Sequence, residues 1–155
     1  MSHARRILDF TQWLRIHVTE AHFNQSVWLQ LPGMEEDRAE IASFSELPPN
    51  NYKPQLEYIC QSNACVAGWF ALYLDATGQR DDYVPNTREW HFFDDVMSEA
   101  LGLYPDQHNT LVYPPWLMNK FVRLGRSTHP LRLAEAITIL ENIAEGREML
   151  AGVRE

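Results

Sequence analysis

The chain has 155 residues, 45% of them hydrophobic, and a formal net charge of −8 at pH 7. That length suits one domain (1–155) with a substantial core. The acidic balance excludes a binder of nucleic-acid phosphates, which needs clustered Lys and Arg. Two cysteines exclude a disulfide-stapled secreted scaffold.

No stretch reaches the ~18 apolar residues required to cross a bilayer. Met1 to Arg15 has no apolar run after its basic residues, as a signal peptide would. Cytoplasmic location, no membrane contact and no cofactor are the expectations.

In chain order, Ala4 to Glu20 reads as an amphipathic helix, with Ile7, Phe10, Trp13, Leu14 and Val18 on one face. Val27, Trp28 and Leu31 follow in a short turn that Asn24 can cap, and Pro32-Gly33 ends it. Residues 33–52 read as an exposed acidic loop or insertion. They hold Glu35, Glu36, Asp37 and Glu40 and end in Pro48-Pro49-Asn50-Asn51.

Cys60 to Gly78 is the stretch around which the rest is organised. Asn63 is a good N-cap. Ala64, Ala67, Gly68 and Ala71 recur every three or four residues, so small side chains form one helical stripe. Val66, Trp69, Phe70, Leu72, Tyr73 and Leu74 surround that stripe. A helix over 64–76, apolar nearly all round, belongs at the centre of a fold. A close helix–helix contact would offset the ~1 kcal/mol that Gly68 costs relative to Ala. Gly78 supplies the stop.

Gln79 to Trp90 is polar and compatible with a minor strand or hairpin. Thr87 can cap a helix containing Trp90, Phe93, Val96, Met97, Ala100 and Leu101, with Gly102 as its stop. Pro105 to Tyr113 reads as a short helix, with proline at its first position. Pro114-Pro115 ends it, and Trp116 to Gly125 suggests another short piece. Ser127 or Thr128 can cap a closing helix from about His129 to Gly146, in which Leu131, Ala134, Ile137, Leu140 and Ile143 keep a 3.6 period. Beyond Gly146 a helical tail is expected to continue and then fray. The pattern predicts a mostly α domain of about six or seven helices, with the first and last packed on the core helix.

Several constellations bear on chemistry. Cys65 falls in the first turn of the core helix, where the dipole and unpaired N–H groups favour a thiolate. A cysteine-dependent hydrolase would use Cys65 with a histidine base: His91 near Asp94, or His108 near Asn109. A zinc site would draw on Cys60, Cys65, His91 and His108, but Cys-x4-Cys has no second ligand pair beside it. Against both stands the plainer reading of two small buried apolar residues in a reduced protein. Glu-x-x-His spacing, a phosphate-binding glycine loop and a nucleophile elbow are absent from the sequence. The reading therefore assigns no catalytic, cofactor or metal residue outright.

Phe23, Val27 and Trp28 are followed by Cys60, Ala64, Cys65, Ala67 and Gly68. Next come Leu101, Gly102 and Leu103; then Leu111, Tyr113, Pro114 and Trp116; then the helix from Leu131. In that order the chain resembles a loosely defined group of small uncharacterised proteins of bacteria, mainly actinobacteria, and their phages. The group shares a C-x4-C-x-A-G loop-to-helix motif. Two departures stand out: Gln61-Ser62 replaces the usual glycine-threonine, and the segment from Met34 to Asn51 is long. The resemblance implies the helical fold and a phage or mobile-element origin, and no activity.

The functional expectation is a non-enzymatic protein that binds a basic host or defence protein as an inhibitor or adaptor. Glu35, Glu36, Asp37, Glu40, Asp81, Asp82, Asp94 and Asp95 are its candidate contact residues. Such a surface steers a basic partner and can imitate nucleic acid toward a nucleic-acid-binding protein. The plainer reading is that these charges only keep the domain in solution.

Overall fold

A computed structural model describes residues 2–25, 27–30, 41–46, 62–83, 91–112 and 131–153. The first helix, α1 (His3–His17), begins where the Ser2 hydroxyl accepts the N–H of Arg5, a side-chain cap. It buries Ile7, Phe10, Thr11, Trp13 and Leu14, the stripe its periodicity predicts. A 3-10 turn (Glu20–His22) leads to β1 (Leu29–Gln30). β1 pairs antiparallel with β2 (Asn63–Ala64), setting Leu29 opposite Ala64 and Gln30 opposite Asn63.

The ribbon corrects the expected start of the core helix. Asn63 is not the cap of the core helix, because it belongs to β2. α2 (Val66–Ala76) starts two residues later than expected, with Cys65 as its N-cap. The minor strand pairing is β1 with β2; of the stretch from Gln79 to Trp90, residues 84–90 lie outside the described residues. Residues Arg80–Tyr83 form a helical turn, α3.

Every residue of α2 from Val66 to Leu74 is buried. Phe10 meets Phe70 edge-on with ring centroids 5.0 Å apart, and Trp13 meets Tyr73 at 5.6 Å, so α1 and α2 share an aromatic seam. Each such pair contributes about 0.5–1.5 kcal/mol beyond area burial. The indole N–H of Trp69 donates to the carbonyl of His22 at 3.1 Å, so that ring is buried with its polar atom satisfied.

The small stripe on α2 admits a backbone, but not that of another helix. A β-carbon on Gly68 would run into the carbonyl oxygen of Trp28. The chain entering β1 crosses the helix there, and Cys65 N–H donates to Val27 O at 2.9 Å beside it.

α4 (Phe93–Leu101) and α5 (Pro105–Val112) form a helical hairpin. Gly102 reverses the chain with φ +65 and ψ 39, a left-handed conformation that glycine adopts without strain. Leu103 N–H then reaches back to Ser98 O at 2.9 Å.

α6 (Leu133–Ala144) closes the fold. It packs chiefly against α1, and less directly on α2 than expected. Arg15 and Glu141 form a two-pronged bridge across that contact, at 2.6 and 3.1 Å. The helix begins at Leu133, later than His129, because its cap is tertiary. The carboxylate of Glu20 accepts Leu133 N–H at 3.0 Å, and Glu135 accepts Arg132 N–H at 2.9 Å. The helix stops at Ala144, and residues 145–152 are turns and a bend where a helical tail was expected. Buried Asn142 holds them: its amide donates to the carbonyls of Met149 and Ala151 at 3.0 and 2.8 Å.

Of the expected acidic loop 33–52, residues 41–46 are described, and Ser45 and Glu46 are exposed. Ile41, Ser43 and Phe44 are buried. Ile41 N–H donates to Leu29 O at 2.9 Å, and Ser43 bridges Phe92 in an antiparallel pair. Buried Arg80 donates to Phe44 O at 2.9 Å, lies over the Phe44 ring and pairs with Asp75 at 3.3 Å. Burial raises the Asp75 carboxyl above its ordinary range, and Arg80 opposes that rise. Glu35, Glu36, Asp37, Glu40, Cys60 and the segment around Trp116 to Gly125 lie outside the described residues, as do Thr87, Ser127 and Thr128.

Candidate functional site

Among the described residues, the densest group of chemistry-bearing side chains sits on the α4–α5 hairpin. Asp94 and Asp95 occupy the first turn of α4, where exposed N–H groups and the helix dipole favour carboxylates. Just ahead of them, Phe93 N–H donates to Ala42 O at 2.9 Å, so the 41–46 segment fixes where α4 starts. The reversal at Gly102 brings α5 back beside α4 and carries His108 to Asp94.

His108 Nε2 lies 3.0 Å from Asp94 Oδ2, and its Nδ1 lies 2.9 Å from Asn109 Oδ1. Both partners are largely buried, with side chains 15% and 13% exposed, so solvent screens this contact far less than a surface pair. The imidazole is held above its ordinary pKa. The hydrogen bond to Asp94 is the largest cause; burial opposes it, and Asn109 and the charges of Asp94 and Asp95 reinforce it. Asp95 is exposed and contributes a third donor. One ligand atom each from Asp94, Asp95 and His108 lies within 4.8 Å of the others.

The sequence paired His91 with Asp94 and His108 with Asn109. The structure brings His108 to both Asp94 and Asn109. His91 joins no metal-competent cluster among the described residues; its backbone carbonyl accepts the N–H of Phe44 at 2.8 Å. The Asp94–His108 contact was hidden because it spans two helices and depends on the angle set at Gly102. A carboxylate in the first turn of one helix and a histidine in the next, separated by a glycine stop, was the only signal available.

Cys65 is 1% exposed, and its thiol faces the Trp28 carbonyl at 3.8 Å. A histidine that serves a thiol as base needs one ring nitrogen directed at the sulfur. In His108 one nitrogen meets Asp94 and the other meets Asn109. Asp81 and Asp82 are exposed at the start of α3, whereas Asp94 is turned inward by His108.

Two adjoining clefts of about 240 and 230 Å³ share Arg6 and Tyr83 and include neither Cys65 nor a histidine. Each is smaller than the ~300–1,000 Å³ usual for a site enclosing a small-molecule ligand. Arg6 lies over the Tyr83 ring and donates to Ala100 O, so the cleft's cation is already engaged within the fold. Among the described residues, no helix is long and apolar enough to cross a membrane.

Compared with known proteins, the chain matches no family model, no curated protein and no solved structure. What the fold and site define is a mostly helical domain with a half-buried carboxylate–imidazole cluster on one hairpin.

Proposed function

We propose that this protein is a non-enzymatic interaction module. It acts by binding a basic host or defence protein, in the phage or mobile-element setting that its sequence resemblance implies. The observation that carries the reading is the display of carboxylates. Asp81, Asp82 and Asp95 are exposed on a chain of net charge −8. Fields of that sign raise the rate of encounter with a positive partner. The buried Cys65 thiol adds support, since a nucleophile must meet its substrate.

The test is capture from host lysate at low and then raised salt, beside a variant carrying Asp81→Lys and Asp82→Lys. The Debye length falls from about 10 Å at 0.1 M to about 3 Å at 1 M salt, so a charge-carried contact weakens across that range. The expected result is a captured protein whose recovery drops with salt and with the charge reversal, while Cys65 reacts slowly with a thiol probe. Capture that ignores both changes, or a fast Cys65 with no salt-sensitive partner, refutes the reading.

A further inference from the structure

We propose that Asp94, Asp95 and His108 form a binding site for a divalent transition-metal ion of the manganese or zinc type. Two carboxylate oxygens and one imidazole nitrogen are the donors such ions accept. The inference rests on the hairpin's geometry and is independent of the partner-binding reading.

Three features of the cluster point to a cation. The first is spacing. Two ligands of one ion, each bonded at about 2.1 Å, stand about 3.0 Å apart at the right angles of an octahedral site and about 3.4 Å apart in a tetrahedral zinc site. His108 Nε2 and Asp94 Oδ2 stand at 3.0 Å. Ligands on opposite sides of that ion are about 4.2 Å apart, so a rotation of the exposed Asp95 carboxylate completes a set now spread over at most 4.8 Å.

The second feature is the outer partner. Metal-binding histidines donate their other ring N–H to an oxygen acceptor, which fixes the tautomer and aims the free nitrogen at the metal. Here Nδ1 faces Asn109 Oδ1 at 2.9 Å. A metal ion held between Nε2 and the Asp94 carboxylate would take the place of the proton that joins them in its absence.

The third is the local charge balance. With His108 neutral, as a metal ligand must be, the two carboxylates carry two negative charges, against roughly +0.5 of a charge from the start of α4. The site therefore attracts a cation despite the helix terminus. An ion here would tie the first turn of α4 to the middle of α5 and leave coordination positions for water.

Protein stripped with a chelator is titrated calorimetrically with Mn²⁺ and with Zn²⁺, and the His108 ring signals are followed by NMR during the Mn²⁺ titration. The expected result is one site per chain and selective broadening of the His108 ring. Asp95→Asn should lower the thermal unfolding midpoint in chelator only slightly, because that exposed carboxylate contributes little beyond its helix-terminus charge, yet weaken binding by more than about tenfold. His108→Gln should weaken it at least as much, and Asn109→Ala by roughly 10–100-fold. Absence of binding by either ion, or binding that Asp95→Asn and His108→Gln leave unchanged, overturns the site. Neither result bears on the salt-dependent capture of a protein partner.

Discussion

Val66 to Leu74 of the core helix and Ile41, Ser43 and Phe44 are all buried, yet they reach the interior by opposite routes. The helix carries its reason within itself. Its apolar side chains surround a stripe of small ones, so any compact arrangement places it inside. The 41–46 segment has acidic residues before it and prolines after it, and by composition it reads as loop. Its burial is conferred from elsewhere: by the Leu29 carbonyl, the Phe92 bridge and the guanidinium of Arg80. Local composition measures what a segment can afford to expose, and the partners waiting for its backbone decide whether it is buried.

Equal burial implies equal energetic weight, and this is where the comparison is most exposed to failure. Phe44 is 3% accessible and Phe70 2%, so replacing either with Ala should cost about 3–5 kcal/mol. Urea unfolding measures both. If Phe44→Ala costs less than about 1 kcal/mol, the segment is a superficial cover and the likeness to the core helix ends.

A smaller effect concerns the point where the two ends of the ribbon meet α2. Gly68→Ala improves helix propensity by about 1 kcal/mol, but its β-carbon would displace the Trp28 carbonyl. The clash should dominate, giving a net loss of about 1–3 kcal/mol in the same experiment. A stabilised variant would show that the crossing chain is free to withdraw.

The smallest effect is the pH dependence set by His108, read in chelator. Its native pKa is raised, chiefly by Asp94. The native state therefore binds the proton more tightly than the unfolded chain, whose value is about 6.5. The stabilisation is complete below that value and is lost as pH rises through the native one. Urea midpoints should decline from pH 6 upward in the wild type, and His108→Gln should flatten the decline. An unchanged slope would remove the Asp94–His108 contact from the energetics of the hairpin.

The sequence by itself determined the apolar faces of the helices and the stop at Gly102. Ile7, Phe10 and Leu14 share a face because 3.6 residues make a turn. Gly102 ends α4 because glycine enters the left-handed region at little cost. The buried central position of Val66 to Leu74 was legible because no exposed arrangement suits a helix apolar on nearly all sides. Tertiary structure alone decided the rest. It chose what fills the small stripe: a strand-entry backbone and not a helix. It started α6 at Leu133, where a carboxylate more than a hundred residues earlier caps it. It also joined His108 to Asp94. Each of these is a contact between groups on different elements; the last two join polar groups, and such contacts are directional and short in range. A few degrees in a turn make or abolish them, whereas apolar periodicity survives any such change.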